Sequence, residues 1–272
     1  MTAAVANIAV YRFVHIEDPG VWCATLRTWC VAAGVKGTIL LASEGINAFL
    51  AGRQEDIEAV LDRLRALPGM EGLEARWSFS EKVPFRRLRV RVKPEIVTLR
   101  RPGFDPTAAP APRISPQILR RWLEAGCDDE GQPFSLLDTR NAWEFRMGSF
   151  KGALDSGIGR FSDFADRLDR LSHLREQTIV TFCTGGIRCE KAAPLMTAAG
   201  FRRVYQLEGG ILGWFEACGS AHWQGDCAVF DGREALRPDL APRVEGSPHR
   251  DTGSVRSATA PADSCLEMRC PS

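Results

Sequence analysis

The 272-residue sequence has little histidine, no CxxC pair, no excess of either charge and no long apolar run. Each absence excludes something. With 35 basic and 34 acidic residues the net charge is +1, so affinity for nucleic acid must come from a local patch. No stretch approaches the roughly 18 consecutive apolar residues of a transmembrane helix. The opening residues lack the basic n-region, apolar h-region and small-residue cleavage site of a signal peptide, so the expected location is cytoplasmic. The 4 histidines include no pair four residues apart, which leaves zinc, or any other metal, without support. Cysteine is present in number (23, 30, 127, 183, 189, 218, 227, 265 and 270), but an odd count spread over a long chain is not a disulfide framework. These read as reduced thiols, one or two of them reactive. The length and the 44% hydrophobic content fit two ordinary globular domains.

Along the first hundred residues, short apolar runs alternate with helical patterns. Residues 7–14 read as a strand, 20–33 as a helix, and 37–42 and 45–50 as two strands. The segment 54–67 repeats apolar residues at 3.6 spacing (Ile57, Val60, Leu61, Leu64, Leu67) and stops at Pro68-Gly69. Residues 73–79 and 88–97 read as further strands. The order β-α-β-β-α-β predicts a ferredoxin-like α+β domain over 1–100, with both helices on one face of an antiparallel sheet. The segment 101–113 is proline-rich and reads as a linker. Residues 114–236 alternate strand and helix, which predicts an α/β domain with a mostly parallel sheet. Its elements are a helix at 116–125 capped by Ser115, strands at 134–137, 178–182 and 204–207, and helices at 161–171, 190–199 and 211–217. The tail 237–272 has no Phe, Trp or Tyr and is expected to be disordered.

The chemistry concentrates in TIVTFCTGGIRCEKAA, residues 178–193. An apolar strand ends at Cys183, two glycines follow, and a helix begins near Cys189. A thiol held between a strand end and a helix N-terminus faces backbone N–H groups and the positive end of the helix dipole, which favour thiolate. Gly185 and Gly186 permit the turn that aims successive N–H groups inward, and Arg188 adds a fixed charge. The plainer alternative is an inert buried cysteine; the surrounding loop, with Thr184 and Ile187, favours a reactive one.

This loop resembles that of the rhodanese domains, and DTRNAWEFRMGSFKGA (residues 138–153) resembles their second hallmark. Four residues separate Cys183 from Arg188. Phosphatase relatives have five, so the loop suits a sulfur substituent rather than phosphate. Over the whole chain, CTGGIRCEKAAPLM, VYQLEGGILGWFE, HWQGDCAVFDGRE, HIEDP and ASEGINAFLAG together resemble the tRNA uridine(34) hydroxylase family across about residues 8–236. That resemblance implies a ferredoxin-like domain joined to a rhodanese-like one. It also implies O2-dependent hydroxylation of the wobble uridine of tRNA to 5-hydroxyuridine, around Cys183, Arg188 and Cys189. Some relatives carry a Cys-rich extension; here the tail holds only Cys265 and Cys270. There is no flavin or nicotinamide fingerprint and no facial triad of metal ligands. O2 is therefore expected as co-substrate, with an electron donor the sequence does not identify. The alternatives are a thiosulfate or persulfide sulfurtransferase acting on a small thiol, and a non-catalytic tRNA-binding module.

Asp138, Arg140 and Glu144 could support the Cys loop, but a surface capping and ion-pair cluster is the favoured reading. Trp214, Phe215 and Trp223 read as core, and so do Cys23 and Cys30. Cys227 could approach the loop, though an ordinary buried thiol is favoured. Between Lys82 and Arg101 lie 8 basic residues and a single acid, Glu95. In the run from Arg87 to Lys93, strand alternation places Arg87, Arg89, Arg91 and Lys93 on one face and Leu88, Val90 and Val92 on the other. A solvated outer face is the bland reading. A self-repelling basic row also fits RNA phosphates, so the expected partner is tRNA at its anticodon loop, not DNA or a membrane.

Overall fold

A computed structural model of the chain describes residues 4–243. It divides into two compact units. The first comprises Met1–Ala108 with Val229–Leu236 and Leu240–Pro242, and the second is centred on Ala109–Ala228. Among the described residues no helix is long and apolar enough to cross a membrane.

The first unit runs β1 (Val5–Phe13), α1 (Pro19–Ala32), β2 (Lys36–Ala42), β3 (Gly45–Gly52), α2 (Gln54–Arg65), β4 (Arg76–Ser80) and β5 (Leu88–Val92). Its sheet order is β4-β1-β3-β2-β5. Neighbours are antiparallel except β5, which adds to β2 in parallel. The ferredoxin-like expectation holds for the first four strands, and the fifth extends the β2 edge. Asp18 starts α1 by accepting the N–H groups of Gly20 and Val21 at 2.8 and 3.0 Å, with Pro19 in the first turn where its missing N–H costs nothing. Ala6, Ile8, Val10, Ile39, Leu41, Ile46, Ala48, Leu50 and Val90 turn to one face and bury against Leu26, Cys30, Ile57, Val60, Leu61 and Leu64 of the two helices.

Several expectations need correction here. β5 stops at Val92, not at residue 97, because Pro94 follows and lacks the N–H to continue a ladder. Val92, expected to face inward, is 49% exposed because it lies at the end of an edge strand. Val229–Leu236, grouped by sequence with the second domain, belongs to the first unit. There Gly232 N–H donates to Pro84 O at 2.9 Å, and Arg233 Nη1 donates to Ser78 Oγ at 2.7 Å. Of the tail expected to be disordered, residues 237–243 are described, and Pro242 bridges back to Leu236. Residues 244–272, with Cys265 and Cys270, lie outside the described residues.

The second unit runs β6 (Arg113–Ile114), α3 (Pro116–Ala125), β7 (Phe134–Asp138), α4 (Ala142–Met147), β8 (Gly148–Phe150), β9 (Leu154–Asp155), β10 (Thr178–Phe182), α5 (Cys189–Ala198), β11 (Arg203–Leu207), α6 (Gly210–Cys218) and β12 (Trp223–Gly225). The parallel sheet has the order β6-β11-β10-β7-β9. Ser115 caps α3 through Ile118 N–H at 3.3 Å. The helix expected at 161–171 is instead two 3-10 segments, Phe161–Asp163 and Ala165–Leu174. Its buried Leu168, Leu171 and Leu174 recur every third residue, which matches a turn of three residues and not one of 3.6.

Phe150 anchors the packing beside β8. Its ring meets Phe182, Trp214 and Trp223 edge-on at 4.9, 4.9 and 5.2 Å, a geometry in which ring edges meet ring faces. Trp214, Phe215 and Trp223 are all buried, as expected. Phe150→Ala should destabilise the protein by about 3–5 kcal/mol in urea denaturation. A loss below about 1 kcal/mol would show that the cluster collapses around the gap and is not the packing centre.

Candidate active site

β10 is buried along its whole length and delivers Cys183 to the C-terminal edge of the parallel sheet. That edge is where open α/β sheets place their sites. The chain then turns through Thr184, Gly185, Gly186, Ile187 and Arg188 before α5 begins at Cys189. Gly185 and Ile187 are half-buried, and the rest of the loop is buried. Gly186 N–H donates to Cys183 Sγ at 3.2 Å.

Burial alone would push the Cys183 thiol up. It is outweighed by a hydrogen bond from the Cys189 thiol, the Arg188 charge and the N–H groups of Arg188 and Cys189, which bring it down to about 6. Cys189 moves the other way. Burial and its neighbouring thiolate hold it well above the usual thiol range, against opposing hydrogen bonds from Thr139 and Thr181; Thr139 Oγ1 lies 3.6 Å from its Sγ. The pair is therefore one thiolate at Cys183 and one thiol at Cys189, joined by a hydrogen bond.

Arg188 is fixed by a two-pronged contact with Glu144, Nη1 to Oε2 at 2.7 Å and Nη2 to Oε1 at 2.9 Å, and Nη2 also reaches Thr184 Oγ1 at 3.3 Å. Burial disfavours its charge, but Glu144 and Cys183 raise its pKa above the ordinary guanidinium value. Glu144 Oε2 also accepts Asn141 N–H at 3.0 Å, closing the start of α4. Asp138 receives Arg140 Nη2 at 2.7 Å and Ser149 Oγ at 3.0 Å, and Arg140 Nη2 donates again to Gly148 O at 2.6 Å. Among the described residues Arg140 Nη1 has no hydrogen-bond partner; the guanidinium lies 5.6 Å from the Trp223 ring centroid. Asp138, Arg140 and Glu144 are each 0% exposed, so the favoured surface-cluster reading is corrected. Glu144 does close a capping box, and it also carries the contact to Arg188, 44 residues downstream, which local spacing cannot reveal.

Cys227 is buried as well, and burial lifts its thiol to about 12 against the Arg140 charge and a hydrogen bond with the Thr184 side chain. It is an un-ionised thiol and it does touch the loop, the approach the sequence reading ranked second. Sequence reasoning missed Thr139 and Thr181, whose hydroxyls need the parallel register of β7 and β10 to meet Cys189. It also missed the detailed role of Gly210. The N–H groups of Ile211 and Leu212 donate to the carbonyls of Cys183 and Thr184 at 2.9 and 3.0 Å, so the start of α6 lies directly on the loop. A Cβ at Gly210 would stand 2.4 Å from Cys183 O, 2.8 Å from Gly186 N and 2.9 Å from Thr184 O. The displaced Gly186 N–H is the one bonded to Cys183 Sγ. Among the described residues no group of three or more His, Cys, Asp or Glu side chains could hold a metal ion.

In the first unit Arg87, Arg89, Arg91 and Lys93 are all exposed. Arg89 and Arg91 lie within β5, and Arg87 and Lys93 flank it. Val90, between them, is buried, as strand alternation requires.

The two units match two known domain classes. Residues 5–96 fit the model of the UPF0176 acylphosphatase-like domain, and residues 115–217 that of the rhodanese-like domain. Over most of its length the chain is similar to proteins named tRNA uridine(34) hydroxylase. It is 50% identical to that of Thiobacillus denitrificans, covering 88% of this chain and 97% of that protein. It is 50% identical to that of Bordetella petrii, covering 88% and 95%, and 48% identical to that of Cupriavidus taiwanensis, covering 88% and 85%. The chain belongs to the tRNA uridine(34) hydroxylase family.

Two predictions test the loop. Gly210→Ala should raise the Cys183 pKa, read as the pH midpoint of thiolate ultraviolet absorbance that disappears in Cys183→Ser. Gly152→Ala imposes a similar backbone strain (φ +75° against +59°) with nothing within 4 Å of the new Cβ, and should leave that midpoint in place. Equal midpoints in the two variants would show that α6 does not set the loop. The second concerns stability. Between about pH 6 and the ordinary thiol value of 9.0, the native state holds Cys183 ionised while the unfolded chain holds it protonated. Stability contributed by Cys183 therefore rises with pH across that window and is lost as pH falls through about 6. The urea midpoint of wild type relative to Cys183→Ser should climb from pH 6 to pH 8; a flat difference refutes the ionised state.

Proposed function

We propose that this protein hydroxylates the wobble uridine, position 34, of tRNA to 5-hydroxyuridine, with O2 as co-substrate and Cys183 as the reacting thiol. The observation that carries the reading is Cys183 at the end of β10 with Gly186 N–H on its sulfur, in a chain half identical to the family over nearly the family's full length. Hydroxylation places one oxygen atom of O2 on the base. Reducing the other to water takes two electrons, which a separate donor supplies. Arg188 keeps the loop anionic, and Cys189 stands beside Cys183 as the partner for a disulfide or persulfide. Thr184, Gly185, Gly186 and Ile187 form the loop wall. Asp138, Arg140 and Glu144 hold that wall from behind.

The tRNA partner engages through its anticodon loop. Arg87, Arg89, Arg91 and Lys93 contact its phosphates, which positions RNA without reading sequence. Selection of the uridine then falls to the Cys183 loop, and an anticodon loop supplies an unstacked base cheaply.

A sulfurtransferase reading rests on one observation, the four-residue spacing from Cys183 to Arg188, which gives the room a sulfane sulfur needs and too little for phosphate. The two readings separate in one experiment. Purified protein is given undermodified tRNA, O2 and a reductant, and nucleosides are measured by mass spectrometry; parallel samples receive thiosulfate and a thiol acceptor. The expected result is 5-hydroxyuridine in the first and negligible sulfur transfer in the second. The reverse pattern establishes the transferase. Cys183→Ser should abolish 5-hydroxyuridine with the fold intact, and Cys189→Ser should impair it less. Full activity in folded Cys183→Ser overturns the role of Cys183, and the opposite ranking assigns the reaction to Cys189.

A further inference from the structure

In the second unit β7, β9 and β10 run parallel, so the segments that leave them gather at the sheet edge that carries Cys183. Hydrogen bonds tie these segments together. Ala142 N–H donates to Ile158 O at 2.8 Å, Ser156 N–H to Asp138 O at 3.4 Å and Thr139 N–H to Phe182 O at 3.0 Å. Glu144 holds Arg188 of the Cys183 loop. Trp143 lies between Ala142 and Glu144, so the chain on both sides of it is fixed to this rim. Its side chain is 42% exposed, whereas the other tryptophans of the unit, Trp122, Trp214 and Trp223, are buried. Two residues past Ile158 stands Arg160, which is exposed, as are Gly157 and Gly159 on either side of Ile158. Among the described residues the Arg160 side chain is in no salt bridge; Asp163 accepts only its backbone N–H, at 3.2 Å. Arg146, three residues along α4 from Trp143, is a second exposed cation, and its charge acts on Asp155.

We infer that Trp143 and Arg160 form a clamp for a nucleotide flanking the target uridine, with its base laid on the indole and its phosphate met by the guanidinium. The clamp rests on the tRNA reading above and deepens it by naming residues of the catalytic unit that hold the strand. A single exposed apolar side chain is ordinary on any surface. The position of this one is not, since its chain neighbour Glu144 fixes the cation of the Cys183 loop. Drawing the target uridine out of its stack leaves the next base without a partner on one side. An indole at the rim replaces that partner, and it does so for any base, because every base has a π-face. The two glycines leave the backbone between Ala142 and Arg160 open to close approach. A protein partner would need a contiguous apolar area around the ring, whereas the exposed residues joined to Trp143 here are arginines and glycines.

The test uses full-length protein and RNA anticodon stem-loops that carry 2-aminopurine at either position flanking the target uridine. Fluorescence of that base falls when it stacks on an indole. Binding to wild type should quench the probe at one flanking position. Trp143→Leu should abolish the quenching and weaken binding about tenfold, and Trp143→Phe, which keeps a stacking face, should restore most of the affinity. Arg160→Gln should weaken binding and lower the salt slope by somewhat less than one counterion. The pH midpoint of Cys183 thiolate absorbance should stay where it is in each variant; a midpoint that moves with Trp143→Leu would mean that the residue acts through Glu144 on the loop, and overturns the clamp. Circular dichroism confirms folding, and Trp143→Met serves the same arm if the leucine variant does not fold. Undiminished affinity and quenching in the folded leucine variant overturn the stacking contact, and an unchanged slope in Arg160→Gln overturns the phosphate contact. Wild type that binds no stem-loop at all marks failure of the tRNA reading itself, whereas wild-type binding that neither variant weakens marks failure of the clamp alone.

Discussion

A buried guanidinium–carboxylate pair, Arg188 with Glu144, is the interaction on which the loop depends. Taking both charges out of water costs several kcal/mol each, and their attraction repays it only with good geometry and all remaining donors engaged. Two parallel N–H···O contacts meet that demand, and the planar fork of arginine is what makes them possible. A lysine could not hold the same geometry. Hydrophobic residues of equal volume would keep the fold at no less stability, so the pair is better explained by its neighbour. Its positive partner lies against Cys183 and joins the Cys189 hydrogen bond and the loop N–H groups in opposing the burial of that thiol.

How far the sequence discloses this differs between the two ends of the pair. Cys183 and Arg188 lie within one short loop, where the glycines, the preceding apolar strand and the following helix are all local, so thiol and cation were readable. Glu144 was visible only as a member of a local cluster, because its partner is distant in the chain. Surface statistics then favoured capping, and capping is half of what it does. Cys227 is the buried thiol its sequence context favours, but its contact with Thr184, 43 residues away, is not legible for the same reason. In the first unit the apolar patterning discloses all five strands and both helices. The parallel addition of β5 was not readable, because alternation says which way side chains point and not which strand lies alongside. The 3-10 segments at 161–174 are not legible, because over so short a span a three-residue repeat of leucines resembles one of 3.6.

The basic edge strand has two physical explanations that do not compete. Charged side chains on an exposed edge discourage a second chain from adding to the sheet, which accounts for one or two arginines on β5. It does not account for four basic residues in strict alternation, since like charges along one face repel one another and destabilise the free strand. That repulsion is relieved when any anion covers the row, so in the proposed RNA reading part of the attraction would be strain removed from the protein.

The asymmetry between the two thiols follows from their contact. Two thiolates within hydrogen-bond distance in a dry pocket would repel strongly, so the pair holds one proton near neutral pH and titrates as a unit. The proton stays on Cys189 because the N–H groups of Gly186, Arg188 and Cys189 and the Arg188 charge act on Cys183, while Cys189 has two threonine hydroxyls beside it. The Cys189 S–H in turn donates to the thiolate, so a hydroxyl can replace it. In Cys189→Ser the hydroxyl keeps a donor to Cys183, so the anion should persist; in Cys189→Ala the donor is gone, and the Cys183 pKa should rise. If serine and alanine raise it equally, the S–H donor contributes nothing, and the loop N–H groups with Arg188 suffice to hold the charge.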